Sequence, residues 1–414
     1  MKSSIITILA LTLAALTGFP AAVAAPLPSA DDTLLAWLAP FAVQPQHRSA
    51  AVGTDPLLSV AQFYHAVGYR PVWTGVDGML PQGESLMQVM AGAPEAGLFA
   101  EAYDPFLDAG QGAGTVLFSG MPFLPRLSAH ARLDVMLTEA LLRMAGNLSS
   151  GRIAPEALYG QWLAWRRPPR ENLAVALARA VNEGRLVEFV ESLHPRSRDY
   201  MALRKSLAQY RRIAQDGGWP TVAPGATLKP GDAGPRVEAL RRRLAATDDA
   251  KGVLSAAPAE TGFDGVLEAA VRRFQHRHGL HVDGLVGQRT LDELNVPVEA
   301  RITALKLNME RRRWLPDDLG DRHLLANIPD FTLCIVARGK TIDRMRAVVG
   351  REDRQTPVMS GRITYLEFNP YWNIPQKIAR EDILPNAVRD PGYFSRQGIR
   401  VYDTWDARAT ELDP

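Results

Sequence analysis

Phe263-Asp-Gly-Val-Leu-Glu-Ala-Ala-Val-Arg-Arg-Phe-Gln275, followed by Gly279-Leu280 and Val282-Asp-Gly-Leu-Val-Gly287, is the stretch on which the reading of this chain turns. Leu267, Ala270, Val271 and Phe274 recur at the spacing of one helix face turned to a core. The Asp264-Gly265 and Asp283-Gly284 pairs are turn signals, because glycine tolerates positive φ and an aspartate side chain bonds the backbone ahead of it. Past Gly287 a further helical run carries Leu291 and Leu294. Upstream, Leu228-Lys-Pro-Gly-Asp232 leads into a run with Val237, Leu240 and Leu244 on one face. This short internal duplication predicts a small three-helix domain with its own core over residues 228–296.

Outward from that module the pattern divides the chain. Residues 30–218 are mostly helical: Leu133, Met136, Leu137, Ala140, Leu141 and Met144 keep helical spacing until Ser149-Ser-Gly151 breaks the run. Leu203, Leu207 and Tyr210 mark another helix. Gly217-Gly-Trp-Pro220 through Pro230-Gly-Asp232 is rich in glycine and proline and reads as a boundary. A helix ending in Arg313-Trp-Leu-Pro316 is expected to act as a linker over 300–316. After it the period changes, and residues 323–328, 331–337, 342–349 and 363–369 read as short strands. The fold class expected is multidomain α+β.

Composition narrows the function. The chain has 414 residues, 46% hydrophobic and 22% charged, which suits two to four globular domains. A formal net charge of +2 argues against nucleic acid as a partner. The basic runs Arg241 to Arg243 and Arg311 to Arg313 fall on helical patterns and are expected to be solvated faces. At the N-terminus, Lys2, the apolar run from Ile5 to Leu16 and Ala22-Val-Ala24 form a signal-peptide pattern over residues 1–24, so export to the periplasm is expected, with no other membrane segment. Cys334 is the sole cysteine, and Phe331-Thr-Leu-Cys-Ile-Val336 reads as a strand in which it is a small packing residue. His276, His278 and His281 do not suggest a metal, since residues two apart on a helix point in opposing directions and no cysteine completes a site. No metal or cofactor is expected.

Phe274-Gln275 with Gly279-Leu280, Asp283-Gly284 and Gly287 through Thr290 closely resembles the peptidoglycan-binding module of cell-wall hydrolases and transpeptidases. The segments Phe63 to Trp73 and 134–155 resemble the helical scaffold domain of the large murein L,D-transpeptidases. Gln355-Thr-Pro357 and Asn369-Pro-Tyr-Trp-Asn-Ile-Pro375 resemble the start of that family's catalytic domain, here 322–414, with a lid-like insertion beginning near Ile378. The resemblance implies acyl transfer on peptidoglycan tetrapeptide stems: a thiolate attacks the peptide carbonyl and an amine on a second stem resolves the acyl-enzyme. Peptidoglycan is then the implied partner, and other cell-wall synthesis proteins are further candidates. Asn369, Tyr371 and Trp372 are the candidate substrate contacts, with packing of the lid an equal alternative for the two aromatics. Asp264, Gly265, Phe274, Gln275, Asp283 and Gly284 are the residues expected to build the module.

The family's Ser-His-Gly-Cys motif does not occur, and every histidine lies at or before His323. The expectation is a chain truncated before its nucleophile and inactive as given; the alternative is a non-catalytic peptidoglycan-binding protein. Other wall chemistries leave no signature: there is no Ser-x-x-Lys, no His-Glu-x-x-His and no Gly-x-Ser-x-Gly. Paired glycosidase carboxylates are not something a sequence pattern excludes.

Overall fold

A computed structural model describes residues 30–42, 55–103, 124–159, 162–168, 172–247, 262–404 and 408–412. The signal-peptide reading of 1–24 lies outside them. The described residues up to Ser360 form one compact unit and those from Gly361 a second. The architecture is multidomain and mostly helical, with small antiparallel sheets.

The first unit is built on α1 (Ala30–Ala42), α2 (Pro56–Ala66), α3 (Pro81–Ala91), α4 (Ala129–Ser150), α5 (Pro155–Tyr159), α6 (Leu173–Asn182) and α7 (Leu186–Ser192). Helix α4 is its spine. Ser128 caps it by accepting the N–H of Ala131, and Leu133, Leu137, Leu141, Met144 and Leu148 are buried along it. Asp55 caps α2 in the same way, ahead of a proline in the first turn. A buried carboxylate ties the two helices together. Asp134 of α4 accepts the backbone N–H groups of Val72, Trp73 and Thr74 and the hydroxyl of Tyr64, the last at 2.6 Å. Burial raises its pKa, and these hydrogen bonds work in the opposite direction.

Helix α8 (Arg198–Gln215) packs along α12 (Val298–Trp314), with Tyr200, Leu207 and Met309 as their shared buried contact. Helix α12, expected as a linker, thus lies against the helical layer that precedes the module in sequence. Between α8 and α12 come α9 (Pro235–Ala245), α10 (Gly265–Arg277) and α11 (Gln288–Leu294) around one core that includes Val237, Leu240, Phe263, Leu267, Phe274, Val286 and Leu294. A single antiparallel bridge joins Leu228 to Val286 and ties the start of this module to its last turn.

The basic runs depart from expectation. Arg243 and Arg313 are fully buried, while Arg242 and Arg311 are exposed or partly so. A guanidinium on a long apolar stem can be buried where ring faces and carbonyls receive it, and both residues find such partners.

Strands β3 (Arg322–Asn327), β4 (Thr332–Ala337) and β5 (Lys340–Arg346) form an antiparallel meander, β1 and β2 being the two-residue hairpin Thr74–Gly75 and Gly78–Met79. The tight β4–β5 turn places Arg338 and Gly339 at φ 49° and 68°. The strand expected over 363–369 does not form: in the second unit Ile363, Tyr365 and Phe368 are exposed, and among the described residues no neighbouring strand supplies a ladder. That unit continues through short helical turns between Gln376 and Gln397 and ends in a two-residue pairing of Val401–Tyr402 with Glu411–Leu412.

Candidate functional site

The module's motif residues converge on one buried amide. The Nε2 of Gln275 donates to Asp283 Oδ1 at 2.8 Å, to the Leu285 carbonyl at 2.9 Å and to Thr290 Oγ1 at 3.2 Å, while its Oε1 accepts the N–H of Gly284 at 2.9 Å. Asp283 accepts the N–H of Leu285, which closes the turn and holds its carboxyl below the usual range. Gly284 has φ 79°, and a Cβ there would stand 2.9 Å from both Arg272 Nε and Glu268 Cγ. Asp264 caps α10 through Leu267 N–H at 2.7 Å and pairs with Arg241 at 2.8 Å; Gly265 begins the helix. Phe274 is completely buried beneath them. These residues set the shape of the turn surface.

The module is also fastened to the helices beside it. Arg243 lies over the Trp219 ring, 3.9 Å from its centroid, and donates to the Leu294 carbonyl at 2.6 Å. Trp219 in turn donates to the Val296 carbonyl and meets Tyr210 of α8 edge-on. Arg277 reaches the Tyr210 hydroxyl at 2.8 Å. His278 lies tilted against Phe274 and donates from Nδ1 to Glu293 at 2.6 Å, and Glu293 also receives Arg301 of α12. Burial first, then Arg277 and Arg301, lowers the His278 pKa to about 4, so the ring is neutral at pH 7. His276 and His281 do not join it; His281 faces Asp283 at 3.4 Å, and among the described residues no cluster of His, Cys, Asp and Glu is placed to hold a metal.

At the other end of α12, Arg313 donates to the Ala96 carbonyl, to the Tyr200 hydroxyl at 3.1 Å and to Glu310 at 3.1 Å. Arg167 gathers the carbonyls of Ser149, Leu193 and His194 and pairs with Asp317 at 3.0 Å. His194 meets Tyr200 at 3.0 Å, and burial together with Arg204 lowers its pKa to about 4. From this hub the chain enters the meander. Cys334 is half-buried in β4, opposite Leu325 and Arg344. His323 pairs with Val336, one diagonal step from Cys334, and its Nδ1 is engaged by the Gly320 carbonyl at 3.0 Å. Diagonal neighbours stand about 7–8 Å apart, and among the described residues no hydrogen bond joins His323 to Cys334. Arg344, the nearest cation in register, is held by Asp330.

In the second unit, Tyr371 and Trp372 are 81% and 67% exposed, and Asn369 takes φ 54°, turning the chain just before them. Sequence reasoning missed the buried arginines: Trp219 and Arg243 are far apart in sequence, and only the Gly-Trp-Pro boundary hinted that Trp219 had a structural duty.

Residues 58–207 match the scaffold domain family, 233–294 the family described as "Putative peptidoglycan binding domain", and 321–412 the L,D-transpeptidase catalytic domain family. A protein of Haemophilus influenzae named "Putative L,D-transpeptidase" is 34% identical over 106 residues, 25% of this chain and 21% of that protein's length. The chain's matched part thus spans about a fifth of this relative. The chain thus carries, in order, segments similar to a scaffold domain, a peptidoglycan-binding domain and an L,D-transpeptidase catalytic domain.

Proposed function

We propose that this chain works outside the cytoplasm as a peptidoglycan-holding protein of the L,D-transpeptidase family, and that its own residues grip the wall without carrying out acyl transfer. The module over 228–296 is the grip. Asn369, Tyr371 and Trp372 present flat faces with polar edges to a peptide stem, whose methyls and amides suit both. The observation that carries the second half of the proposal is the setting of Cys334. A thiol becomes a nucleophile when a base or cation lowers its pKa, and among the described residues no hydrogen bond or ion pair joins Cys334 to His323, whose Nδ1 is turned to the Gly320 carbonyl, or to Arg344, which pairs with Asp330.

The test is a sacculus sedimentation assay run beside mass spectrometry of tetrapeptide stems incubated with the same protein. Sedimentation without release of D-alanine or formation of a cross-linked dimer is expected. Protein that stays in the supernatant would refute the grip. Turnover lost in Cys334→Ser would refute the structural role given to that thiol.

A further inference from the structure

The second unit holds an open concavity of about 460 Å³. One wall is the last turn of the short helix Tyr393–Gln397, which Gly398 ends at φ 63°. The N–H of Ile399 donates to the Phe394 carbonyl at 2.9 Å and fixes that turn. The other wall is the pairing of Val401–Tyr402 with Glu411–Leu412, extended by the Asp403 N–H, which donates to the Thr410 carbonyl at 3.2 Å. Phe394, Ile399 and Leu412 give the lining an apolar side, and Arg400 and Glu411 give it two opposite charges.

The two charges share a face. Arg400 and Tyr402 are two apart on extended chain and point to the same side, and Glu411 stands opposite Tyr402 in the register. The Arg400 guanidinium lies 3.9 Å from a Glu411 carboxylate oxygen, near enough to attract and too far for a hydrogen bond. Both side chains are more than half exposed, at 57% and 53%, where an ion pair adds little to stability. Each therefore keeps bonding capacity for a third group. Arg400 also donates to the Tyr402 hydroxyl, and Glu411 and Tyr371 lie close enough to help raise its pKa, so Tyr371 is a neighbour of the pair.

We propose that this concavity binds an α-amino-acid zwitterion carried on an aliphatic chain, with Arg400 taking the carboxylate, Glu411 the ammonium, and Phe394, Ile399 and Leu412 the chain. The opposite charges select this ligand. A simple carboxylate would be drawn to Arg400 and repelled by Glu411, and a simple amine would meet the reverse. A group that bears both charges answers both side chains. Its ammonium nitrogen and nearer carboxylate oxygen stand roughly 3 Å apart, since the N–Cα and Cα–C bonds are each about 1.5 Å. That separation is close to the one between Arg400 and Glu411, so the two contacts form side by side. The zwitterion has two sources: a free amino acid, or a diamino-acid residue of a wall stem peptide whose side chain ends in a second amino-acid centre. The second source rests on the peptidoglycan-holding function above and adds a charged subsite beside Tyr371.

The test titrates full-length protein, followed by NMR, with norleucine, N-acetylnorleucine and norleucine amide. Two stem peptides follow that differ in one residue, diaminopimelate or lysine, the lysine lacking the side-chain carboxylate. Norleucine should bind about fivefold or more tightly than either blocked form, because each blocked form leaves one charge of the pair unanswered. Arg400→Gln and Glu411→Gln should each remove that preference, and the exchange Arg400→Glu with Glu411→Arg should restore part of it by letting the zwitterion turn round. Circular dichroism establishes that each variant is folded. A preference for norleucine alone supports the site and assigns it to free amino acids; a matching preference for the diaminopimelate stem assigns it to the wall. Equal binding of norleucine and its blocked forms, a preference that survives both glutamine substitutions, or no binding at all overturns the proposal. Sacculus sedimentation of the same wild-type protein separates the two claims. Protein that sediments but shows no zwitterion preference loses this site and keeps the module's grip. Protein that stays in the supernatant loses the peptidoglycan-holding function, while the norleucine series still decides the site.

Discussion

Replacing Gly151 by alanine should be among the most damaging single-methyl changes available in this protein. Gly151 ends α4 at φ 89°, ψ 161°, a region that only glycine occupies readily, and forcing another residue there costs about 1–3 kcal/mol. The added Cβ would also stand 2.5 Å from Trp314 Nε1 and 2.8 Å from Glu310 Oε1. Neither neighbour can yield easily. Trp314 is 4% exposed and wedged against Tyr159 and Trp162, and Glu310 is held by the N–H of Ile153 and by Arg313. Overpacking of this kind costs a further 1–3 kcal/mol or so, for a total of about 2–6 kcal/mol. Urea unfolding followed by circular dichroism gives the loss. A second series in a Trp314→Ala/Glu310→Ala background separates the two contributions, because both close contacts are removed there and the backbone strain remains. A Gly151→Ala protein within about 0.5 kcal/mol of wild type would refute the account, as would a loss equally large in both backgrounds.

Three other outcomes follow from the geometry. Phe274→Ala should destabilise the module by about 3–5 kcal/mol, seen as an earlier unfolding transition and weaker sacculus binding. Asp134→Ala should cost about 3 kcal/mol or more in thermal or urea unfolding, since three backbone N–H groups and the Tyr64 hydroxyl would lose their acceptor together. His194 and His278 have folded pKa values of about 4, below the ordinary value of 6.5, so above that value both folded and unfolded chains hold them neutral. As pH falls from 6.5 to 4 the unfolded chain takes up protons first, and stability should drop by about 2–3 kcal/mol for His194 and less for His278; His194→Gln should flatten its share of that slope.

Much of the helical framework was readable because each buried face is written in consecutive residues. Leu133 through Met144 and Leu267 through Phe274 fix α4 and α10 by spacing alone, and Asp-Gly pairs mark the turns beside α10. What escaped the sequence depends on residues distant in the chain. Nothing in Arg241-Arg-Arg243 says that its last member meets Trp219 and the Leu294 carbonyl, and nothing in Arg311-Arg-Arg313 announces Tyr200 and Ala96 as partners. The same limit explains Ile363 to Asn369: alternating apolar residues satisfy the local pattern of a strand, but a ladder needs a neighbour that local pattern cannot supply. At the candidate site, Gln275 was legible as a motif residue, whereas its service as a four-way bond between the 283–290 turn and α10 required coordinates.

The position of the module between α8 and α12 has a mechanical consequence. Its chain enters from the end of one helix and leaves into the start of the next, with Gly218 and Val298 side by side. Were the module to hold the wall as proposed, a pull on it would reach two helices at once, at neighbouring ends. Tyr200, Leu207, Met309 and the Arg312–Asp199 pair bind those two helices into one body, so the load would be divided between two attachments. A domain tethered by one end of the chain would put all of that force on a single helix; one inserted between two helices spreads it over both.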